Sequence, residues 1–229
     1  MKFYKHVVWD WNGTLLDDAR LSLDVFNSIA AEYALPPVDF ETYTDEFSFP
    51  VINFYKKHGF DFEKIDFRVI GKKFIDKYLA LLPQCAPHAE IPSILADFRR
   101  LGFTQSVLSA NNDTLLKRAV AQFGLDEFFV RVDGLSDIYA NSKTKLAQAH
   151  IAALGEMGIS PEQTIMAGDT LHDEDAADAM NVACALIARG YNSAKQLSNA
   201  RRAKVFSTHA EFFNFAATLG DFPAQPPHC

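Results

Sequence analysis

Residues 7–16 read Val7-Val8-Trp9-Asp10-Trp11-Asn12-Gly13-Thr14-Leu15-Leu16 and indicate the architecture of the whole chain. An apolar run ends at Asp10, and the turn-forming pair Asn12-Gly13 follows at once. This is the pattern of a buried strand that opens into a loop. In an open parallel sheet, ligands bind beyond the carboxyl ends of the strands. Asp10 is therefore predicted to lie where a nucleophile meets its substrate, although this segment alone also fits an ordinary polar turn.

A second apolar run, residues 105–109, ends in the hydroxyl group of Ser109. That hydroxyl can donate a hydrogen bond to a phosphoryl oxygen, and the backbone N–H groups of Ala110 and Asn111 can add donors to an anion. A serine here also fits a simple turn or N-cap before the helix that residues 113–123 indicate. The segment therefore predicts a phosphate-binding turn only in combination with the others.

A lysine follows, between the second and the fourth segment. Lys143 stands just before an apolar helix predicted over residues 146–154. An ammonium group near Asp10 would bind the phosphoryl group and offset the repulsion between an anionic nucleophile and an anionic substrate. Lys145 is the alternative candidate, because the order of the segments supports the prediction more than the residue type does.

The fourth segment is a third apolar run, residues 164–168, followed by Asp169 and, four residues later, Asp173. Magnesium prefers hard oxygen ligands, so carboxylates that converge from different strand ends predict a magnesium site. The acidic run also fits a helix N-terminus, where negative charge is favourable. Three further acidic residues are assigned to that helix rather than to the metal: Glu174, Asp175 and Asp178.

In this order, the four segments resemble the four motifs of the haloacid dehalogenase superfamily, whose first motif reads Asp-x-Asp-Gly-Thr-Leu. The resemblance implies a Rossmann-like α/β core of parallel strands and a nucleophile, Asp10, that becomes an aspartyl phosphate. The implied catalytic residues are Asp10, Asn12 and Lys143. The implied phosphate-binding residues are Thr14, Ser109, Ala110, Asn111 and Lys143. The implied Mg²⁺ ligands are Asp10, the backbone carbonyl of Asn12, Asp169 and Asp173.

The chain departs from the family pattern at Asn12, where most phosphatases of the superfamily carry a second Asp. That Asp protonates the leaving oxygen and then activates the attacking water, whereas an amide has no proton to give at neutral pH. General acid–base help contributes roughly 10²–10⁴-fold to such reactions. We therefore expect a magnesium-dependent phosphohydrolase whose substrate has a good leaving group, such as an acyl, aryl or pyrophosphoryl compound, or one that borrows a proton from His172.

Two other functions stay open. Dehalogenases and phosphonatases of the superfamily also lack an Asp at this position, although the Asp169/Asp173 pair favours a metal and so disfavours the metal-free dehalogenases. A phosphonatase needs an additional lysine for a Schiff base, and the candidates are Lys56, Lys57, Lys64, Lys72, Lys73 and Lys77. The third function is a phosphate-binding regulatory protein with little turnover.

A helical insertion separates the first two motifs. Apolar residues recur at helical spacing over residues 21–33, 43–47, 51–55 and 67–81. The segment resembles, in its placement, the α-helical cap of the phosphoglycolate phosphatase and β-phosphoglucomutase group. We predict a core domain of residues 1–16 and 86–229 and a cap domain of residues 17–85. The expected hinges are residues 15–18 and 82–87, and the expected cleft-lining residues are Phe47, Ser48, Phe49 and residues 17–20.

The rest of the chain and its composition fit a globular enzyme. Strands are predicted over residues 183–187 and 204–206, and a closing helix over residues 209–219. The chain has 229 residues and a formal net charge of −7, which offers no field for nucleic acid or an anionic membrane surface. Three widely spaced cysteines favour a reducing compartment over a disulfide framework. We therefore expect a cytoplasmic monomer or homodimer that acts on a small phosphorylated substrate.

Overall fold

The structure is a computed structural model that describes residues 4–135 and 143–218. Its strands are β1 (His6–Trp9), β2 (Thr104–Asn112), β3 (Arg131–Leu135), β4 (Thr164–Gly168), β5 (Ala183–Ile187) and β6 (Lys204–Phe206). Within the described residues they form a six-stranded sheet in the order β3-β2-β1-β4-β5-β6, and every neighbouring pair is parallel. This confirms the predicted α/β class with a Rossmann-like core.

Helices cover the sheet and fill the connections between the strands. They are α1 (Ala19–Glu32), α2 (Phe40–Glu46), α3 (Ile52–Lys57), α4 (Phe67–Leu81), α5 (Ile91–Arg100), α6 (Asp113–Gln122), α7 (Lys143–Glu156), α8 (Leu171–Met180), α9 (Ala194–Leu197) and α10 (His209–Thr218). In the part of the chain that the structure describes, no helix is both long enough and apolar enough to cross a membrane.

The central strand β1 explains where Asp10 lies. All four of its residues are buried, and alternate side chains of a strand point to opposite faces of the sheet. Trp9 packs edge-to-face on Phe98 of α5 and Phe212 of α10, with ring centroids 5.8 and 5.4 Å away. Val8 belongs to the apolar cluster on the other face, together with Met166. Burial on both faces fixes the strand, so Asp10 stands at its carboxyl end.

Helices α1 to α4 form a helical segment, residues 19–81, with a hydrophobic cluster of its own. Phe26 is at its centre and meets the rings of Phe54 and Tyr55, each with a centroid distance of 5.0 Å. The chain passes from sheet to segment and back at two adjacent places, where Asp17 N donates to Ala86 O over 3.0 Å. The helices occur where the apolar spacing predicts them, and the division into core and cap domains stays a prediction.

Other sequence predictions have mixed outcomes. Strands β5 and β6 have the predicted bounds, and α10 ends at Thr218, the last residue described. Strand β3 was not predicted, because its sequence Arg-Val-Asp-Gly-Leu contains two charges and a glycine. Residues 136–142, next to the predicted motif lysine, lie outside the described part of the chain.

Candidate active site

The carboxyl ends of β1 and β4 bring three buried acidic side chains together. Asp10 N donates to Ala167 O over 2.9 Å, which ties the end of β1 to β4. Asp169 follows β4 directly, and Asp173 lies in the first turn of α8. Among the described residues, Asp10, Asp169 and Asp173 each offer a ligand atom, and these atoms lie within 4.8 Å of one another. Asp10 thus shares one site with residues 159 and 163 positions further along the chain.

Lys143 is the cation of this site. Its side chain is 4% exposed, and its Nζ donates to Asp10 Oδ1 and, over 2.5 Å, to Asp173 Oδ1. Lys145, the alternative candidate, is exposed on the same helix. The structure therefore brings Lys143, and not Lys145, to Asp10.

The charges of the site are unbalanced. Burial and the two neighbouring carboxylates raise the pKa of Asp169 well above its ordinary value. Burial also raises the pKa of Asp10, against the opposing effect of Lys143. Burial acts the same way on Asp173, but Lys143 and hydrogen bonds from Thr170 outweigh it and lower the pKa of that carboxyl. Three carboxylates face one ammonium group, so this all-oxygen set fits a divalent cation such as Mg²⁺.

Asp173 and Asp169 are fixed by local structure. Asp173 Oδ2 accepts from Thr170 N and Thr170 Oγ1 over 2.9 and 2.8 Å, which caps α8. Asp169 accepts from Thr14 Oγ1 over 2.8 Å and from Tyr191 N over 2.6 Å. The Thr14 hydroxyl, predicted to bind phosphate, is thus directed at Asp169. Its role in phosphate binding stays a prediction.

The predicted phosphate-binding turn lies beside Asn12. Strand β2 continues to Asn112, with an irregular register after Leu108. Ser109 is buried and its Oγ accepts from Asn111 N over 3.2 Å, whereas Ala110 is exposed. The N-cap of α6 is Asn112. Ser109 is therefore not the N-cap residue, and its hydroxyl remains a candidate phosphate ligand.

The Asn12 side chain has partners that sequence reasoning missed. Its Nδ2 donates to Asp18 Oδ2 over 2.8 Å and to Tyr78 OH over 2.9 Å. Asp18 is fully buried, and burial raises its pKa, although hydrogen bonds from Tyr78 and Asn12 oppose that effect. The sequence predicts Asp18 only as part of a hinge, residues 15–18, and of a cleft-lining stretch, residues 17–20. Nothing in its local pattern distinguishes it from the neighbouring Asp17.

A small cavity of about 150 Å³ lies between the helical segment and the core. It is lined by Phe47, Ser48, Phe49, Thr170, Leu171, His172, Asp175, Asn192 and Gln196. Phe49 stacks on His172 with a centroid distance of 4.6 Å. Burial lowers the pKa of His172, with Lys143 adding to the effect. At neutral pH its imidazole is neutral, which makes it a weak proton donor.

The lysines considered for a Schiff base lie elsewhere. Five of them pair with carboxylates of the helical segment itself: Lys57 with Glu46, Lys64 with Asp61, Lys72 with Asp76, and Lys73 and Lys77 with Glu32. The sixth, Lys56, is exposed. None of these lysines lines the cavity beside the site. This arrangement disfavours a phosphonatase.

A buried carboxylate at the end of a central parallel strand, with two further acids and a lysine beside it, is an arrangement typical of one class of α/β hydrolases. The sequence profile of the haloacid dehalogenase-like hydrolases matches residues 7–187. The chain belongs to this family and is a hydrolase of the phosphatase type.

Relatives and solved structures agree with this assignment. The chain is 25% identical over 191 residues to an N-acetylmuramic acid 6-phosphate phosphatase of Pseudomonas aeruginosa, with 82% of this chain and 83% of that protein covered. It is 25% identical over 194 residues to a phosphoglycolate phosphatase of Aquifex aeolicus, with coverage of 81% and 85%. A haloacid dehalogenase-like hydrolase of Streptococcus pneumoniae has the same fold, with a TM-score of 0.75, 19% identity and coverage of 94% and 99%.

Proposed function

We propose that the protein is a magnesium-dependent phosphatase that cleaves a small phosphomonoester through an aspartyl phosphate on Asp10. The observation that carries this proposal is the buried cluster of Asp10, Asp169 and Asp173 with Lys143 bonded to the nucleophile. A phosphatase of this kind needs a carboxylate at a strand end and positive charge close to it, because both the nucleophile and the substrate are anions.

The residues of the chain divide the reaction between them. An oxygen of Asp10 forms a bond to phosphorus while the bond from phosphorus to the leaving oxygen breaks, and the leaving oxygen keeps the electron pair. Water then attacks the phosphorus of the aspartyl phosphate, the bond from phosphorus to the Asp10 oxygen breaks, and the Asp10 carboxylate keeps the electron pair. Inorganic phosphate leaves with the oxygen of that water, and the proton that the water loses passes to solvent. Lys143 holds the phosphoryl oxygens and keeps Asp10 oriented, and Ser109 with the N–H groups of Ala110 and Asn111 donates to the same oxygens.

The candidate metal ligands are Asp10, the backbone carbonyl of Asn12, Asp169 and Asp173. A bound Mg²⁺ supplies charge neutralisation for the carboxylates and for the phosphoryl oxygens. Asp169 depends on it most, because burial and two neighbouring carboxylates raise the pKa of its carboxyl and disfavour its ionised form.

Asn12 restricts the leaving group. The Asn12 amide cannot protonate the departing oxygen, and the lowered pKa of His172 argues against that residue as the acid. An aryl, acyl or pyrophosphoryl leaving group departs without a proton at neutral pH. We therefore propose a substrate whose leaving oxygen is a weak base.

The side chains that line the cavity further restrict the chemical class of the leaving group. Among the described residues that line it, none is a lysine or an arginine, whereas Phe47, Phe49 and His172 give it an aromatic wall. Phosphoglycolate and N-acetylmuramic acid 6-phosphate, the compounds in the names of two relatives, each carry a carboxyl group besides the phosphate. A second anion would meet Asp175 here, and Arg201, the partner of Asp175, is not among the lining residues. We propose a leaving group that is uncharged and partly aromatic or apolar.

An assay of the purified protein tests these proposals together. We expect turnover of p-nitrophenyl phosphate and acetyl phosphate with magnesium and none with EDTA. We expect kcat/KM for phosphoglycolate to be lower by about tenfold or more, because the carboxylate lacks a cation and an alkyl oxygen leaves poorly without an acid.

The matched variant is Asp10→Asn, which keeps the shape of the nucleophile and removes its charge. It should abolish turnover while circular dichroism and the unfolding midpoint remain close to native. Turnover that survives in Asp10→Asn or in EDTA would contradict the mechanism. Magnesium-dependent phosphate binding without turnover of any substrate would favour the regulatory protein instead.

We also propose that the enzyme is cytoplasmic, acts as a monomer or homodimer and binds neither nucleic acid nor a membrane. The net charge of −7 supports the absence of nucleic-acid binding. The two cysteines in the described chain, Cys85 and Cys184, are free thiols, and burial raises the pKa of each. Unreactive thiols of this kind fit a reducing compartment.

A further inference from the structure

The carboxylate of Asp18 collects hydrogen bonds from three parts of the molecule. Oδ1 accepts from Gly13 N over 2.8 Å. Oδ2 accepts from Asn12 Nδ2, Tyr78 OH and Tyr191 OH over 2.8, 2.6 and 2.9 Å. Asn12 and Gly13 belong to the loop that carries the nucleophile, residues 10–14, which we call the nucleophile loop. Tyr78 belongs to α4, and Tyr191 to the loop after β5.

The direction of each hydrogen bond fixes the chemistry at position 12. An ionised carboxylate only accepts hydrogen bonds, so the group that faces Asp18 must donate. Asn12 presents its amide nitrogen, and the Tyr78 hydroxyl uses its own proton toward Asp18 while accepting from Asn12. An Asp at position 12 has two carboxylate oxygens where Asn12 has one oxygen and one NH₂ group. Its ionised form has no donor in any rotamer, so it could replace the Asn12 amide only by taking up a proton.

Two facing carboxylates would be costly here because Asp18 is fully buried and residue 12 is half-buried. Asp18 is 0% exposed, so an Asp at position 12 would put a carboxylate oxygen about where Asn12 Nδ2 lies, 2.8 Å from Asp18 Oδ2. Like charges at this separation and depth repel strongly. The identity of residue 12 is therefore coupled to the identity of residue 18.

We propose that Asn12 and Asp18 form a matched amide–carboxylate pair in which Asp18 is the positioning residue of the nucleophile loop. Asp18 holds the Asn12 side chain and the Gly13 backbone in place, and through Tyr78 and Tyr191 it links that loop to α4 and to the loop after β5. Tyr191 N also donates to Asp169 Oδ2 over 2.6 Å. The Asp18 carboxylate is thereby connected, through Tyr191, with the metal-site carboxylate Asp169 as well as with the nucleophile loop.

This proposal rests on the proposed function for its effect on rate, but the pairing itself is measurable without turnover. A double-mutant cycle compares the native protein with Asn12→Asp, Asp18→Asn and the double variant, all unfolded by denaturant in EDTA without substrate. We expect each single variant to raise the unfolding equilibrium constant, the ratio of unfolded to native protein, by about tenfold or more. The double variant, in which the amide and the carboxylate exchange places, should return to within about threefold of native.

The effect of the variants on kcat tests the pair independently of their effect on stability. In the presence of magnesium, Asn12→Asp alone should show no gain in kcat for an alkyl phosphate such as 2-glycerol phosphate. The double variant should gain about tenfold or more, because its carboxyl at position 12 then has a donor as its partner. Asp24→Asn, an exposed carboxylate on α1, is the matched control and should leave both measurements unchanged.

Tyr78→Phe keeps the test decisive if a single variant fails to fold. It removes one hydroxyl from Asp18 and Asn12, and we expect kcat for p-nitrophenyl phosphate to fall severalfold with KM unchanged.

Additive effects in the cycle, or a gain in kcat from Asn12→Asp alone with a native unfolding midpoint, would overturn the pair. A Tyr78→Phe variant that loses stability with kcat and KM unchanged would overturn the positioning role. Absence of any turnover by the native protein would refute the proposed function and leave the cycle in EDTA valid.

Discussion

Asp169 has very little space among its neighbours. A methyl group on Gly190 would lie 2.1 Å from Asp169 Oδ2 and 2.5 Å from Gly13 O. Gly13 is itself in the left-handed region, with φ of 76°, which favours glycine. The backbones of Gly13 and Gly190 thus pack directly against the Asp169 carboxylate. The glycines leave the Asp169 carboxylate room in the direction that its hydrogen bonds from Thr14 Oγ1 and Tyr191 N require.

Gly190→Ala should therefore displace Asp169 without unfolding the protein. We expect kcat/KM to fall by about 10²-fold, the scale of effect of a misplacement of about 1 Å, and half-maximal activity to require more magnesium. A magnesium titration of p-nitrophenyl phosphate hydrolysis measures both quantities.

The control for this variant is Gly155→Ala on the exposed side of α7, where a methyl group meets no atom within 4 Å. It should keep native activity and gain about 0.5–1 kcal/mol of stability, because alanine loses less backbone entropy in a helix. Native activity and magnesium response in Gly190→Ala would show that the loop moves instead of Asp169.

A buried chain of hydrogen bonds joins four elements beneath the site. Ser106 Oγ on β2 lies 2.8 Å from His6 Nε2 on β1 and 2.8 Å from His150 Nε2 on α7. His150 Nδ1 lies 2.7 Å from Asp133 Oδ2 on β3. The Asp133 carboxylate only accepts, so His150 carries a proton at Nδ1, and in the tautomer with its proton there Nε2 accepts a hydrogen bond from Ser106 Oγ. Ser106 then accepts from His6 Nε2, and the whole chain has one direction.

Ser106→Ala should break this chain at its centre. It leaves a buried nitrogen of His6 and one of His150 without a partner, and each costs about 1–3 kcal/mol. Denaturant unfolding should show that loss with the slope of the transition unchanged. Ser93→Ala, an exposed serine on α5, is the matched control. Equal stability of both variants would mean that water replaces the hydroxyl.

Comparison of these elements shows what the sequence could predict. Strand β1, Asp10 and the Asp169/Asp173 pair follow from apolar runs that end in acids, because local patterns determine them. Lys143 required the structure, since helical phase buries it and exposes Lys145 two residues later. Other features depend on contacts between distant residues: His6 meets Ser106 across 100 positions, and Asn12 meets Tyr78 across 66. Periodicity and motif spacing contain no signal for such pairs.

The stability of the whole molecule should fall in acid because of His6. Burial, with a contribution from His150, lowers the pKa of His6 from 6.5 to about 3 in the folded protein. The unfolded chain binds a proton at this residue below about pH 6.5, and the folded protein does not. The contribution of His6 is therefore fully present above about pH 6.5 and is lost as the pH falls toward 3.

His6→Gln removes this titration and keeps a hydrogen-bonding side chain. Between pH 6.5 and 4.5, the free energy of unfolding should fall less steeply in the variant, by up to about 1.4 kcal/mol per pH unit. Above pH 7 the two proteins should show parallel curves. Unfolding midpoints measured across this range test the prediction, and identical slopes at every pH would contradict it.

The two adjacent passages of the chain between sheet and helical segment have a mechanical consequence. Leu16 forms a β-bridge with Pro87, and Asp17 N donates to Ala86 O over 3.0 Å. The two segments that connect the sheet with the helical segment therefore lie side by side and are hydrogen-bonded to each other. The segment also contacts the core through hydrogen bonds such as that from Asn192 Nδ2 to Phe47 O. Once such contacts break, a body whose two covalent connections are neighbours rotates most easily about the line through them. That axis lies a few residues from Asp10, so this carboxylate is close to the pivot, where rotation by a given angle produces the smallest displacement.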